Sequence, residues 1–169
     1  MGGLIAQQLA LLAPERLSAL VICDSAAKIG TDASWDTRIQ AIETNGLISI
    51  SAAVMERWFT QAFRAEKPME LAGWEQMLRL TPDAGYIATC MALREADLTR
   101  EISKISTPTL VICGDQDQST PPELVKATAA LIPDAHFEII ENCGHIPPAE
   151  QPAALIALLI QHFKEHIHG

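Results

Sequence analysis

Two short stretches of this 169-residue chain carry residues suited to moving a proton. Gly114-Asp-Gln-Asp-Gln-Ser-Thr-Pro121 follows one apolar run, and Asn142-Cys-Gly-His145 follows another. Asp117 stands 28 residues before His145, and each leaves a predicted strand at its carboxyl end. That order is what an Asp–His relay requires. The carboxylate holds the imidazole in one tautomer and stabilises its cation, while the other ring nitrogen acts as general base. Asp115 competes for the acid's place, but the spacing Gly114-x-x-Asp117 favours Asp117 and leaves Asp115 as a turn residue.

A relay serves a nucleophile, and no Gly-x-Ser-x-Gly occurs in residues 1–169. The chain opens Met1-Gly-Gly-Leu-Ile-Ala6, which reads as the continuation of such an elbow: one variable residue, a glycine, then a closely packed helix. On this reading the nucleophile is the residue before Met1. The backbone N–H of Met1 is then one oxyanion-hole donor, and the second comes from an earlier loop.

Other candidates are weaker. Trp35 with Arg38, and Arg57 with Trp58, each offer a guanidinium for a substrate carboxylate and an indole to wall a small ring. The competing reading is a helical core with solvated arginines. Ser25 lacks elbow glycines and is expected to serve a turn or a cap. Cys143 lies two residues from His145 in a loop, where the two side chains are not expected to face each other. His162, His166 and His168 are expected to be solvated. Cys23, Cys90, Cys113 and Cys143 show no Cys-x-x-Cys pair and no histidine at ligand spacing, so no metal is expected, and the thiols read as free in a reducing cytoplasm.

These residues need elements to position them. Helical spacing runs from Gly2 to Ala13, where Pro14 stops it. Leu17–Cys23, Thr109–Cys113 and His136–Ile140 are short apolar runs, the first of them predicted to be buried on both faces. Pro122–Leu131 and Pro152–His166 read as helices, with Pro at the first turn. Helical crossovers between buried strands imply an α/β architecture with a parallel sheet. The stretch from about residue 29 to residue 100 is helical throughout. Pro68, Pro82 and glycines 46, 73 and 85 divide it into three or four helices. The predicted organisation is a core of residues 1–28 and 101–169 with an all-helical lid of residues 29–100 over the strands' carboxyl edge, where open α/β sheets bind ligands.

Composition narrows the partners. Lys and Arg number 12 against 21 Asp and Glu, a net charge of −9 with no basic run, which argues against nucleic acid. The longest apolar stretch, Ala153 to Ile160, is eight residues, too short for a bilayer. The opening residues carry no basic segment, and Ala6 stands where a myristoylation signal needs Ser or Thr. A cytoplasmic protein is expected.

Several stretches are similar to the 3-oxoadipate enol-lactonases of the α/β-hydrolase superfamily: Met1-Gly-Gly-Leu, Ala13-Pro-Glu-Arg-Leu, Cys23-Asp-Ser-Ala-Ala-Lys-Ile-Gly-Thr31 with Trp35, Glu56-Arg-Trp-Phe-Thr60, Gly85-Tyr86 with Cys90, and Ala96-Asp-Leu98. The similarity runs from residue 1 to about 163. It implies a partial α/β-hydrolase fold, the last three parallel strands with flanking helices, in which Asp117 is the triad acid, His145 the base and the lid the substrate pocket. It implies a cofactor-free hydrolase that opens a small carboxylated lactone in aromatic-compound catabolism, within the β-ketoadipate pathway. The alternatives are a carboxylesterase or dehalogenase of the superfamily, or a non-catalytic binding protein. The resemblance places the family's nucleophile and first five strands, about a hundred residues, ahead of Met1. Residues 1–169 alone are therefore expected to be inactive, and the bared sheet edge is expected to favour self-association.

Overall fold

The computed structural model describes residues 1–167; His168 lies outside the described residues. Helix α1 (Gly2–Leu12) leads into strand β1 (Leu20–Cys23). The strand starts later than its apolar run, because Leu17 N donates back to Pro14 O and closes a 3-10 turn first. After β1 come α2 (Asp32–Asn45), α3 (Ser51–Trp58), α4 (Gln61–Glu66), α5 (Pro68–Arg79) and α6 (Asp83–Glu95). Strand β2 (Thr109–Gly114), α7 (Pro122–Ala129), β3 (His136–Ile140), α8 (Pro147–Glu150) and α9 (Pro152–His166) complete the order.

The three strands form one parallel sheet in the order β1-β2-β3, with Leu20 opposite Thr109 and Leu110 opposite His136. β2, in the middle, is buried at every residue. Ile22, Val111, Cys113 and Val125 pack on one face with Ala10 of α1; Leu110, Ile112, Ile140 and Leu155 pack on the other. Helices thus cover both faces, as the parallel pairing demands. β1 departs from the expectation of burial on both faces, because Val21 and Cys23 are only half-buried. Leu158 and Leu159, which pack against the same cluster, are likewise part-exposed. Among the described residues the outer edge of β1 carries no strand.

The insert holds five α-helices where the sequence suggested three or four. Its breaks include one that proline and glycine do not mark: Phe59 turns extended, and Thr60 Oγ1 accepts Phe63 N at 3.1 Å, starting α4 with a side-chain cap. Thr31 and Ser34 form a capping box at the start of α2. The insert has its own core of Ile42, Leu47, Val54, Met55, Phe59, Phe63 and Leu78.

On α9, His162 corrects the expectation of a solvated side chain, since it is 4% exposed. It stands seven residues after Leu155 and so lies on the same face, turned to the sheet. His166 is half-buried. Among the described residues no helix is long and apolar enough to cross a membrane.

Candidate active site

β2 ends in Gly114, and the loop that follows is wound around Asp117. Oδ1 of Asp117 accepts Ser119 N at 2.7 Å and Thr120 N at 3.1 Å, while Oδ2 accepts Thr120 Oγ1 at 2.7 Å. Burial pushes this carboxyl up, but the His145 ring and the Thr120 donors outweigh it and hold it below the ordinary aspartate value. Asp115 is more than a turn residue. Its backbone N–H extends the pairing to Ile140 O, and its carboxylate accepts Cys143 N at 2.9 Å, tying the two strand-end loops together. The loops touch backbone to backbone: a Cβ on Gly114 would run into the carbonyls of Cys143 and Gly144.

His145 completes the pair. Its Nδ1 stands 2.8 Å from Asp117 Oδ2, whose side chain has no solvent exposure. An ionised Asp117 places the ring proton on Nδ1 and leaves Nε2 free to accept one. Among the described residues no serine, threonine or cysteine hydrogen-bonds Nε2. The backbone of His145 is held from the insert, its N–H donating to Trp58 O at 2.7 Å. Glu150 reinforces that joint, accepting Gly144 N at 3.0 Å and Thr60 Oγ1 at 2.7 Å.

The pair opens into a cavity of about 400 Å³, a size suited to a small ligand. All the sequence candidates for binding converge there: Trp35, Arg38, Arg57 and Trp58 line it with His145 and Met1. The Arg38 guanidinium lies 4.9 Å from the centre of the Trp35 ring, and the Trp58 ring lies 6.5 Å from that of His145. Neither arginine meets a carboxylate among the described residues. Burial and the neighbouring Arg38 charge make Arg57 hold its proton less tightly than usual, yet a guanidinium stays cationic. Two half-buried guanidinium groups thus line one cavity without an ion-pair partner among the described residues, in a wall that also holds Asp24.

Tyr86, on the same wall, belongs to the Gly85-Tyr86 stretch that carries the family resemblance, but nothing in the sequence assigned it a part in the site. Asp24, also in the wall, carried a signal, because it follows β1 as Asp117 follows β2. Ser25 neither caps nor turns: its buried Oγ has no partner, and it packs against Gly3 at the start of α1. Cys143 forms no dyad; its thiol is buried and, like those of Cys23 and Cys113, resists deprotonation. Asp24, Cys113 and Asp117 bring ligand atoms within 4.8 Å of one another. Asp117 is already saturated by hydrogen bonds, however, and the thiol stays protonated, so this donor set does not suit a metal.

Comparison with known proteins extends this geometry. The sequence profile of the "Alpha/beta hydrolase family" matches residues 1–158. Over 154 residues the chain is 36% identical to "3-oxoadipate enol-lactonase 2" of Acinetobacter baylyi, a match covering 91% of this chain and 57% of that protein. It is 34% identical over 158 residues to "3-oxoadipate enol-lactonase 1" of the same organism, covering 94% and 59%. Among solved structures, the enol-lactonase from Burkholderia xenovorans LB400 superimposes with a TM-score of 0.92 at 30% identity, covering 97% of this chain and 63% of that one. The chain thus spans less than two thirds of the length of each.

Proposed function

The chain belongs to the alpha/beta hydrolase family, and from that membership we propose that its cavity takes a small carboxylated enol-lactone, with His145 as general base and Asp117 as the acid that orients it. The observation that carries this reading is the cavity itself, whose wall holds two arginines without ion-pair partners together with His145, the histidine bonded to Asp117. Arg38 and Arg57 hold the carboxylate of the ligand, and the indoles of Trp35 and Trp58 flank its ring. Similarity to two proteins called 3-oxoadipate enol-lactonases supports a lactone over an open ester.

In the proposed reaction a serine hydroxyl attacks the lactone carbonyl as Nε2 of His145 takes its proton. The imidazolium, stabilised by Asp117, returns that proton as the ring opens, and water activated by the same nitrogen releases the acyl group. The backbone N–H of Met1 serves as an oxyanion donor. No described hydroxyl is bonded to Nε2, so we assign the nucleophile to a residue outside 1–169, and residues 1–169 alone bind without turnover.

Purified residues 1–169 incubated with 3-oxoadipate enol-lactone test this. Tryptophan fluorescence reports binding at Trp35 and Trp58, and proton NMR reports ring opening. Quenching without hydrolysis above the spontaneous rate is expected. Hydrolysis would overturn the assignment of the nucleophile, and absence of quenching at millimolar ligand would overturn the choice of ligand.

A further inference from the structure

Asp24 is a buried carboxyl group that the proposed reaction does not use. Its backbone turns left-handed directly after β1, with φ at 47°, a region aspartate tolerates better than most residues. That turn changes how the sheet ends. Asp24 N still donates to Ile112 O at 2.9 Å, but the next rung is made by the side chain, whose Oδ1 accepts Gly114 N at 2.9 Å. Gly114 in turn offers its carbonyl to Asp117 N, and its lack of a side chain lets the loop bearing His145 close over it. The Asp24 carboxyl therefore holds the residue on which the acid loop and the histidine loop both rest.

It also lies against them electrically. One Asp24 oxygen is within 4.8 Å of a carboxylate oxygen of Asp117, and Asp24 shares the cavity wall with His145. Burial, with a smaller push from the Asp117 charge, raises the Asp24 carboxyl to about 7 against the pull of Gly114 N–H, the Cys23 thiol and His145. The ionisable groups around it are Cys23 at the end of β1, Cys113 on β2, Cys143 in the histidine loop, Asp117 and His145, with Met1 also lining the cavity. The three thiols are kept neutral by burial, so Asp117 is the charged neighbour that counts, with the His145 ring beside it.

We propose that Asp24 is a positioning residue for the Asp117–His145 pair: its bond to Gly114 fixes where the pair sits, and its charge sets how firmly His145 holds a proton. An ionised Asp24 adds a second negative charge beside the imidazolium and stabilises it; a neutral Asp24 does not. The proposal rests on the reading of Asp117 and His145 as an acid–base pair, and its test separates the two.

The test follows the His145 ring by NMR across pH in residues 1–169, comparing the wild type with D24N, D24A and D117N. Asparagine keeps an oxygen for Gly114 N–H and removes the charge. In D24N the His145 ring is expected to lose its proton about one pH unit lower than in the wild type, and in a single step. D24A shows the same shift and, in addition, roughly tenfold faster exchange of the Gly114 amide. A midpoint in D24N that moves by less than about 0.2 unit, or moves up, overturns the proposal. If D117N lowers the midpoint and D24N does not, the proposal alone fails. If D117N leaves it unmoved, the acid–base reading fails with it.

Discussion

The backbone N–H of His145 donates to the carbonyl oxygen of Trp58 at 2.7 Å, so the proposed base is pinned by the helical insert as well as by the strand it follows. One side chain guards that joint. Glu150 accepts Gly144 N, Thr60 N and Thr60 Oγ1, three donors from two parts of the chain 84 residues apart. Glu150→Ala leaves all three without that acceptor, and an orphaned buried donor is costly. A loss of about 2–3 kcal/mol in urea unfolding is expected, with Glu150→Gln losing about half as much because one oxygen remains. Equal stability of Glu150→Ala and wild type would show that the joint is held elsewhere.

Gly114 makes the approach of the two strand-end loops possible, because a methyl group there meets the carbonyls of Cys143 and Gly144 with no flexible side chain to give way. Gly114→Ala is expected to destabilise the fold by about 3 kcal/mol. Gly73, inside α5, supplies the control: a Cβ there meets nothing. Gly73→Ala is expected to stabilise by about 0.5–1 kcal/mol through helix propensity. Thermal melts of the two variants should move in opposite directions.

What was legible in the sequence follows from the physics of each element. β3 and α9 were read to the residue, because proline before an apolar run and proline at a first turn are local signals. The pairing of Asp117 with His145 was legible because each follows a strand in one parallel sheet, which brings their loops to the same edge. The roles of Glu150 and Asp24 were not. Glu150 works through backbone donors of Thr60 and Gly144, and Asp24 through Gly114 N–H; the place of Asp24 after β1 was visible, but such bonding partners are set by tertiary contact and leave no mark in spacing. The count of insert helices fell short because a break such as the start of α4 is a threonine cap, a weaker mark than the proline that opens α5.

Arg57 tests the ligand's charge separately from the chemistry. Arg57 makes no ion pair among the described residues, so the Arg57→Ala change should leave stability almost unchanged. Calorimetric titration with a saturated γ-lactone bearing a carboxymethyl group is expected to show binding weakened by about 10- to 100-fold. The methyl ester of the same lactone is expected to bind wild type and variant alike. Arg57→Lys should recover only part of the loss, since a point charge does not reproduce the planar fork. Equal weakening for acid and ester would place Arg57 in the cavity wall as packing, without a part in charge recognition.

His162 makes stability depend on pH away from the site. Its ring is buried, and Nε2 finds no partner. Burial, then the neighbouring His166 charge, lowers its proton affinity below the ordinary histidine value, against the pull of the Pro108 and Leu20 carbonyls. A histidine that is harder to protonate folded than unfolded takes up protons preferentially on unfolding. Its contribution to stability is therefore complete above the unfolded value near 6.5 and declines as the pH falls from there toward the folded value. His162→Leu keeps the apolar contact on the face shared with Leu155 and removes the titration. At pH 5 the variant is expected to exceed the wild type in stability, with the gap narrowing by pH 7.5. Urea unfolding at the two pH values measures it, and a constant gap would mean that the gain comes from packing, with no contribution from the proton.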